Sequence, residues 1–326
     1  MNTTAILSVS NLQVRYPVSG RRLLTAIEDL SLTLHRGETL AVVGESGGGK
    51  STLARAICGL TPFSAGEIHL EGKRLHNGHR RAVRDIGKHI QYVFQDPLDA
   101  LDPRMTIAET LAEPLRRHFP NLTRGERQRR IDAALDAVAL SPRHLTRYPH
   151  EFSGGQAQRI GIARALICEP SILICDEPVS ALDVSIQAQI INLLQDIQRE
   201  RRLAMLFISH DLRVVRHIAD RMIVLYLGRL MEAGPAADLF EQPRHPYTRA
   251  LLAAIPKADP TEEQQRLQAT PTLGNDLPSP LDPPSGCVFR TRCPEAAEPC
   301  KKAPGHSASP SLTRVVNCIH YPVHGD

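Results

Sequence analysis

The feature that most constrains this chain is a glycine-rich loop close to its start. Residues 44–51 read Gly-Glu-Ser-Gly-Gly-Gly-Lys-Ser, after the apolar run 39–43 and before the helix-like run 52–56. Backbone N–H groups can converge on a polyphosphate only where no side chain obstructs them, and a helix that follows presents its positive N-terminal end. The pattern therefore predicts a strand, a phosphate-binding loop and a helix, rather than a turn that merely joins two elements.

The loop also predicts which atoms meet the nucleotide. Lys50 would reach the β- and γ-phosphates, and the Ser51 hydroxyl would take a place on Mg²⁺. The other predicted nucleotide-binding positions of the loop are Gly44, Glu45, Ser46, Gly47, Gly48, Gly49 and Thr52.

Length and composition limit the class of protein. The 326 residues can bury one large domain with appendages, or two domains, and a hydrophobic content of 42% is that of an ordinary globular protein. No apolar run approaches the roughly 20 residues that span a bilayer, and residues 1–14 have no secretory pattern. We expect a cytoplasmic protein whose membrane role, if any, comes through a partner.

Basic residues are too scattered to predict a nucleic-acid partner. The formal net charge is +4, and the densest clusters are Arg80, Arg81 and Arg84, and residues 124–130. Aromatic residues make up only 4% of the chain, so no stacking platform accompanies these clusters. Solvated helix faces are the favoured interpretation.

Strand-like and helix-like segments alternate along the chain. Residues 6–16 and 24–34 predict an antiparallel lead-in to the phosphate-loop strand, and residues 96–152 predict a helical insertion. Tyr16 ends the first lead-in segment, where it could stack on a purine ring or pack in the core. The alternation itself predicts an α/β fold with a mostly parallel sheet.

Several polar residues follow the ends of predicted strands. Gln95 follows residues 90–94, the pair Asp176 and Glu177 follows 171–175, and His210 follows 203–208. Ligands gather at the carboxyl ends of parallel strands, and adjacent buried carboxylates are costly unless a cation or a reaction uses them. Asp176 could hold Mg²⁺ through water, and Glu177 could accept a proton from an attacking water.

A second glycine turn, Ser153, Gly154, Gly155 and Gln156, opens another predicted helix and a second anion-receptive N-terminus. With the phosphate loop, the acidic pair and His210, it resembles the nucleotide-binding subunit of an ATP-binding cassette transporter over roughly residues 6–255. By this resemblance, Ser153–Gln156 takes the place of the family's signature, and Gln95 that of the glutamine that follows a core strand. His210 corresponds to the switch histidine, and residues 180–183, with Asp183, to the loop after the acidic pair. Tyr16 takes the place of the aromatic residue that stacks on adenine.

The resemblance implies a fold and a reaction. The fold is α/β, a P-loop NTPase (RecA-like) parallel-sheet core with an antiparallel β lead-in and a helical subdomain. Residues 1–95 and 166–245 would form the ATPase core, and residues 96–165 the helical signature subdomain. Water would attack the γ-phosphate of ATP, with Glu177 as base, Lys50 and Mg²⁺ stabilising charge, and Gln95 and His210 near the reacting atoms.

The resemblance also implies partners. The signature of one subunit contacts the ATP of a second cassette subunit, which we expect to be a paralogue in a heterodimer, although a homodimer stays open. Helices near residues 96–113 would receive two membrane permease subunits, and a periplasmic or lipid-anchored solute-binding protein would act on the complex. A soluble cassette ATPase of ribosomes or DNA repair usually has two cassettes or a coiled-coil insertion, and neither is present here.

Residues 246–326 resemble the C-terminal extension of the oligopeptide and dipeptide importer branch, which also serves nickel and other small solutes. The resemblance is carried by the stretches 245–252 and 281–287, which residues 257–280 join as a predicted linker. An exporter subunit is disfavoured by this extension. We expect an importer ATPase at the cytoplasmic face of the inner membrane, with peptides as the favoured solute and nickel as the alternative.

Four cysteines lie in this extension, at spacings of C-x5-C-x6-C-x17-C: Cys287, Cys293, Cys300 and Cys318. A reducing cytoplasm disfavours disulfides, and zinc ribbons usually pair thiolates as C-x2-4-C. Four thiolates on proline-punctuated loops can close on an iron–sulfur cluster. Members of the branch with this cysteine set resemble holders of a [4Fe–4S] cluster; zinc or unligated thiols are the alternatives.

Overall fold

A computed structural model of the chain describes residues 5–18, 22–75, 86–256, 259, 264, 277–302 and 314–321. The linker predicted over 257–280 lies largely outside these residues. The arginine cluster at 80–84 lies entirely outside them.

The described strands and helices follow each other in the α/β alternation that the sequence predicts. The strands are β1 (Ala5–Val18), β2 (Arg22–His35), β3 (Thr39–Val43), β4 (Ala65–Leu70), β5 (Lys73–Arg74), β6 (Ile90–Val93), β7 (Ile172–Asp176), β8 (Ala204–Ile208), β9 (Arg221–Tyr226), β10 (Arg229–Pro235) and β11 (Val315–Val316). The α-helices are α1 (Lys50–Ile57), α2 (Ile107–His118), α3 (Arg124–Ala137), α4 (Gly154–Leu166), α5 (Val184–Arg201), α6 (Leu212–Ile218), α7 (Ala236–Glu241) and α8 (Pro246–Ala253).

A seven-stranded sheet carries the phosphate loop. Its order is β11-β10-β9-β3-β8-β7-β6, and the strands from β9 to β6 pair in parallel. Every residue of β3, β7 and β8 is buried, because helices and the second sheet cover both faces of these strands. Their carboxyl ends place the phosphate loop, the acidic pair and His210 at one edge of the sheet.

The antiparallel lead-in forms a separate four-stranded sheet of order β2-β1-β4-β5. Four apolar residues of β1 are fully buried in two alternating pairs on either side of a register shift, Leu7 and Val9, then Leu12 and Val14. They pack in one cluster with the apolar residues of α1 and of the large sheet. The predicted parallel sheet and its antiparallel lead-in are confirmed.

Local sequence signals start the helices of the middle block. Thr106 begins α2 with a capping box that includes Glu109, and Thr123 begins α3 in the same way with Glu126. Helices α2, α3 and α4 contact one another around a second apolar cluster. In the described part of the chain, no helix has the length and apolarity that a bilayer span requires.

The C-terminal extension is joined to the core by backbone pairing and by charge. Strand β11 adds to the open edge of β10, where Val316 pairs with Glu232. The Glu232 side chain is fully buried and accepts hydrogen bonds from Arg314 and from the backbone N–H groups of Arg244 and His245. A buried carboxylate is tolerated because it has these charged and backbone partners.

Candidate functional site

The phosphate loop lies between β3 and α1 and depends on glycine at named positions. Gly44 and Gly49 have φ values of 148° and 93°. A Cβ added at Gly44 would lie 2.1 Å from the carbonyl oxygen of Leu225, and one added at Gly49 would lie 2.4 Å from that of Ala26. Neighbouring backbone thus approaches the loop more closely than a side chain would allow.

We expect Gly44→Ala to destabilise the protein far more than Gly47→Ala. The first change combines backbone strain with a clash against backbone and should cost about 3 kcal/mol. The second adds a Cβ with nothing within 4 Å at φ 79°, so only strain of about 1 kcal/mol remains. Urea unfolding of both variants measures the difference, and equal midpoints would contradict the close backbone approach at Gly44.

Lys50 is held beneath the loop by backbone oxygens. Its Nζ donates to the carbonyl oxygens of Gly44 at 2.8 Å and Glu45 at 3.0 Å, and the residue is 6% exposed. Burial lowers the pKa of Lys50, while the carboxylates of Glu177 and Asp176 act in the opposite direction. The ammonium group therefore lies between the loop and the acidic pair, as its predicted role requires.

The predicted magnesium residues meet at the end of β7. The Ser51 hydroxyl donates to Asp176 Oδ1 at 3.0 Å, and Asp176 is 6% exposed. Hydroxyl and carboxylate oxygens are the ligands that Mg²⁺ prefers, so this pair fits the ion. Gln95, the third predicted ligand, follows β6 as an exposed residue.

Tyr92 is a site residue that the sequence analysis missed. Its hydroxyl donates to Asp176 Oδ2, on the carboxylate oxygen that Ser51 does not use. Burial, followed by the hydrogen bond to Asp176, raises the pKa of Tyr92, so the hydroxyl keeps its proton and fixes the carboxylate. Its only signal in the sequence is its position on β6, the parallel neighbour of β7.

Glu177 and His210 lie together at the ends of β7 and β8. The Glu177 backbone has a φ of 49°, and its N–H donates to the Ile208 carbonyl at 2.9 Å. Glu177 Oε2 lies 3.0 Å from His210 Nδ1, and the His210 side chain is 59% exposed. A carboxylate that solvent can reach, oriented by an imidazole, can take a proton from water.

The second glycine turn begins α4, as predicted. Ser153 caps the helix and forms a capping box with Gln156. A Cβ added at Gly154 would contact Leu182 at 3.3 Å, and one at Gly155 would lie 2.6 Å from Ile186. The turn thus packs on the segment 182–186 of its own chain, where Asp183 begins α5.

Tyr16 lies on β1 opposite Leu24 and is half-buried. Its ring packs against the core cluster, so part of the ring stabilises the sheet and part faces outward. This position is compatible with stacking on a base as well as with the core role.

The four late cysteines line one cavity of about 190 Å³, together with His245. The backbone N–H of Cys287 donates to the Cys300 carbonyl at 2.9 Å, which joins two of the cysteine loops. Burial raises the pKa of the Cys293 thiol to about 11 and also raises those of Cys287 and Cys318. Across the residues that the structure describes, no three His, Cys, Asp or Glu side chains are already arranged as a metal site.

Comparison with known proteins agrees with this geometry. Residues 27–180 match the family model "ABC transporter", and residues 231–300 match "Oligopeptide/dipeptide transporter, C-terminal region". The second match spans most of β10, all of α7 and α8, and three of the four cysteines.

Curated relatives match over nearly the whole chain. The oligopeptide transport ATP-binding protein OppF of Haemophilus influenzae is 49% identical over 98% of this chain and 98% of its own. The protein of the same name from Escherichia coli is 51% identical over 91% of each chain.

Solved structures of cassette proteins share the fold. CbiO1 from Clostridium perfringens, part of the ABC transporter complex cbiONQ, aligns with a TM-score of 0.65 at 28% identity, over 73% of this chain and 91% of its own. The cassette MJ0796, in a dimeric post-hydrolysis state bound to ADP and Pi, aligns with a TM-score of 0.64 at 28% identity, over 71% of this chain and 98% of its own. The P-loop NTPase fold is thereby confirmed, and the chain belongs to the ATP-binding cassette transporter family as an ATPase of the oligopeptide-transport branch.

Proposed function

We propose that this chain hydrolyses ATP to energise import of di- and oligopeptides across the bacterial cytoplasmic membrane. The observation that carries the proposal is the match to oligopeptide transport ATP-binding proteins at about half identity over 98% of the chain, C-terminal extension included. The phosphate loop and acidic pair supply the reaction, and the extension supplies the link to peptide transport.

The proposed reaction is in-line attack of water on the γ-phosphate. Glu177 takes the proton, and His210, 3.0 Å from it, orients the carboxylate and contacts the phosphate. Lys50 stabilises the charge that develops on the phosphate oxygens. Ser51 and Asp176 would hold Mg²⁺, which neutralises phosphate charge, and Gln95 would complete its shell.

The ATP site is proposed to be completed by a second cassette subunit. Ser153 and Gly154 are exposed at the N-terminus of α4, where the Ser153 hydroxyl and the Gly154 backbone N–H can receive a partner's γ-phosphate. Asp183 begins α5 beside them and would lie at the same interface. We propose a paralogue as the partner, so that two composite sites form in a heterodimer.

The proposed contact with the permease subunits is a groove of about 260 Å³ between β6 and helices α2 and α4. Phe94 lines this groove and is 43% exposed, and Leu98 nearby is equally exposed. Exposed apolar side chains next to Gln95 suit a short helix of a membrane subunit, so binding there would move a predicted magnesium ligand. A solute-binding protein would act from the opposite side of the membrane, and this chain would lie peripherally on the cytoplasmic face.

The same contacts support the proposed division of the chain. Residues 1–95 and 166–245 would form the nucleotide-binding core, residues 96–165 the helical subdomain that carries the signature, and residues 246–326 the extension. Helices α2 to α4 contact one another, and their apolar residues share a cluster with β7, β8 and α5 of the core.

We further propose that Cys287, Cys293, Cys300 and Cys318 hold a [4Fe–4S] cluster. All four line one cavity, and the hydrogen bond from Cys287 to Cys300 joins two of their loops. Burial raises the pKa values of the Cys287, Cys293 and Cys318 thiols, which favours their protonated form in the free chain, but iron deprotonates a thiol that it binds. The cluster would join the loops that carry the cysteines, in a structural or regulatory role.

Anaerobically purified protein is expected to be brown and to contain acid-labile sulfide. Cys293→Ser and Cys300→Ser together should abolish both, because each removes a ligand. Iron, sulfide and visible absorbance measure the outcome, and Cys168→Ala, which removes a buried thiol outside the cavity, is the control. A colourless, iron-free wild type prepared without oxygen would refute the cluster.

Uptake in cells tests the proposed solute. Cells that lack this chain are complemented with wild type or Lys50→Ala and given a labelled dipeptide, a longer peptide or Ni²⁺. We expect loss of peptide uptake that only the wild type restores. Loss of Ni²⁺ uptake alone would move the proposal to the metal, and unchanged uptake of all three would contradict an importer of these solutes.

A further inference from the structure

The C-terminal extension holds the phosphate loop at Glu45 by two separate bonds. The backbone N–H of Glu45 donates to the Tyr247 hydroxyl at 2.9 Å. Its carboxylate accepts from Arg292 Nη1 at 2.7 Å, and the Arg292 side chain is only 9% exposed. Both partners lie more than 200 positions along the chain from Glu45. The conformation of this loop residue is therefore set by the extension.

The groups that hold Glu45 are themselves rigidly packed. Tyr247, Tyr226 and Phe289 are buried to within 1% exposure, and their ring centroids lie 4.8 to 5.3 Å apart. Arg292 also donates to the Tyr226 hydroxyl at 3.3 Å. This aromatic cluster joins the end of β9, α8 and the cysteine-bearing segment, so a shift in one of them moves the others.

The same segment forms a wall of the cysteine-lined cavity. Phe289 and Cys293 line the cavity and flank Arg292 in sequence. The contact through Tyr247 also reaches the cavity, because His245 lines it and His245 Nδ1 accepts a hydrogen bond from the Tyr247 backbone N–H at 3.0 Å. Each bond to Glu45 thus leads, through one or two residues, to a residue of the cavity wall.

We propose that Arg292 and Tyr247 are positioning residues for ATP binding, which couple the conformation of the cysteine-lined cavity to that of the phosphate loop. The Glu45 carbonyl also accepts from Lys50 Nζ, so fixing Glu45 orients both a loop amide and the lysine. Coupling between two sites is reciprocal: nucleotide must order the extension as much as the extension favours nucleotide. The inference rests on ATP binding at this loop and does not depend on what fills the cavity.

Matched substitutions test the positioning role in the full chain. Tyr247→Phe removes one hydroxyl, and Arg292→Gln removes the ion pair. Tyr321→Phe and Lys301→Gln, at residues that do not line the cavity, remove a hydroxyl and an ammonium group from the same extension, whose partners are Glu295 and Glu298.

Binding of a non-hydrolysable ATP analogue with Mg²⁺ is measured by calorimetry. We expect Kd to rise about 10-fold for Arg292→Gln and about 5-fold for Tyr247→Phe, since each loses a hydrogen bond that preorganises the loop. Arg292→Lys should restore part of the affinity, and the two controls should bind as the wild type does. Equal affinity of Arg292→Gln and Lys301→Gln would overturn the proposal.

Hydrogen exchange tests the reciprocal effect, which a merely structural role would not produce. In the wild type, the analogue should slow backbone exchange of residues 286–302 several-fold, and this protection should be absent in Arg292→Gln but present in Lys301→Gln. Exchange that the analogue leaves unchanged in the wild type would refute the coupling. Visible absorbance of the same samples reports the cluster separately, so failure of that proposal is distinguishable from failure of this one.

Discussion

Glu177→Gln is expected to abolish ATP hydrolysis and to leave ATP binding intact. The amide keeps the shape of the carboxylate but cannot take a proton from the attacking water, so turnover should fall about a thousandfold. The backbone geometry at this position, fixed by the hydrogen bond from its N–H to Ile208, does not depend on the side-chain charge. Because ATP would persist between this chain and its proposed partner subunit, the variant should accumulate as a closed dimer. Phosphate release and gel filtration with ATP measure the two effects.

Glu169→Gln is the matched control for this change. Glu169 also has a positive φ, 52°, but lies outside the site, shortly after α4 ends at Leu166. The Glu169→Gln variant should hydrolyse ATP at the wild-type rate. Wild-type turnover in Glu177→Gln would refute the assignment of Glu177 as the base.

Lys50→Ala is expected to weaken ATP binding by about 100-fold and to abolish uptake. The ammonium group is buried between the loop carbonyls and the acidic pair, where charge interactions are stronger than in water. Removing it leaves the phosphates facing Asp176 and Glu177 without their counter-charge. The same change leaves the carbonyls of Gly44 and Glu45 without their donor, so unfolding of the nucleotide-free protein is measured beside binding to separate lost stability from the lost phosphate contact.

Arg55→Ala removes a basic side chain from the same helix but at an exposed position. It should bind the ATP analogue as the wild type does. Calorimetry measures the Kd of both variants for the ATP analogue. Equal Kd values for Lys50→Ala and the wild type would show that the lysine does not contact the phosphates.

The sequence predicted the large sheet and the phosphate loop well because their signals are local. The apolar run before Gly44 is too short for a helix and ends in a loop that only glycine permits. The helices of the middle block also have local signals, since Thr106 and Thr123 start them with capping boxes that span four residues. Strand β11 was not predicted. Two residues carry no periodicity, and they form a strand only because the edge of β10 offers unpaired backbone groups.

The site was predictable in its parts and not in its long-range contacts. Asp176, Glu177 and His210 lie at strand ends, and Ser51 lies at the start of the helix after the phosphate loop, so the topology of a parallel sheet brings them together. The contacts of Glu45 with Tyr247 and Arg292 join residues 202 and 247 positions apart, and no spacing rule relates them. Tyr247 lies in the stretch that marks the branch, but its bond to the loop depends on how the extension packs. The residue-level roles and domain boundaries stay predictions until variants test them.

ATP-driven movement of a labelled peptide out of the lumen of vesicles tests the central claim most directly. The chain would be copurified with its membrane partners, reconstituted with this chain outward, and supplied with peptide and solute-binding protein inside the vesicle. The account predicts that external MgATP drives peptide out of the lumen in the wild type and not in Glu177→Gln. Peptide movement at the same rate in both, or none in the wild type while it hydrolyses ATP, would contradict it.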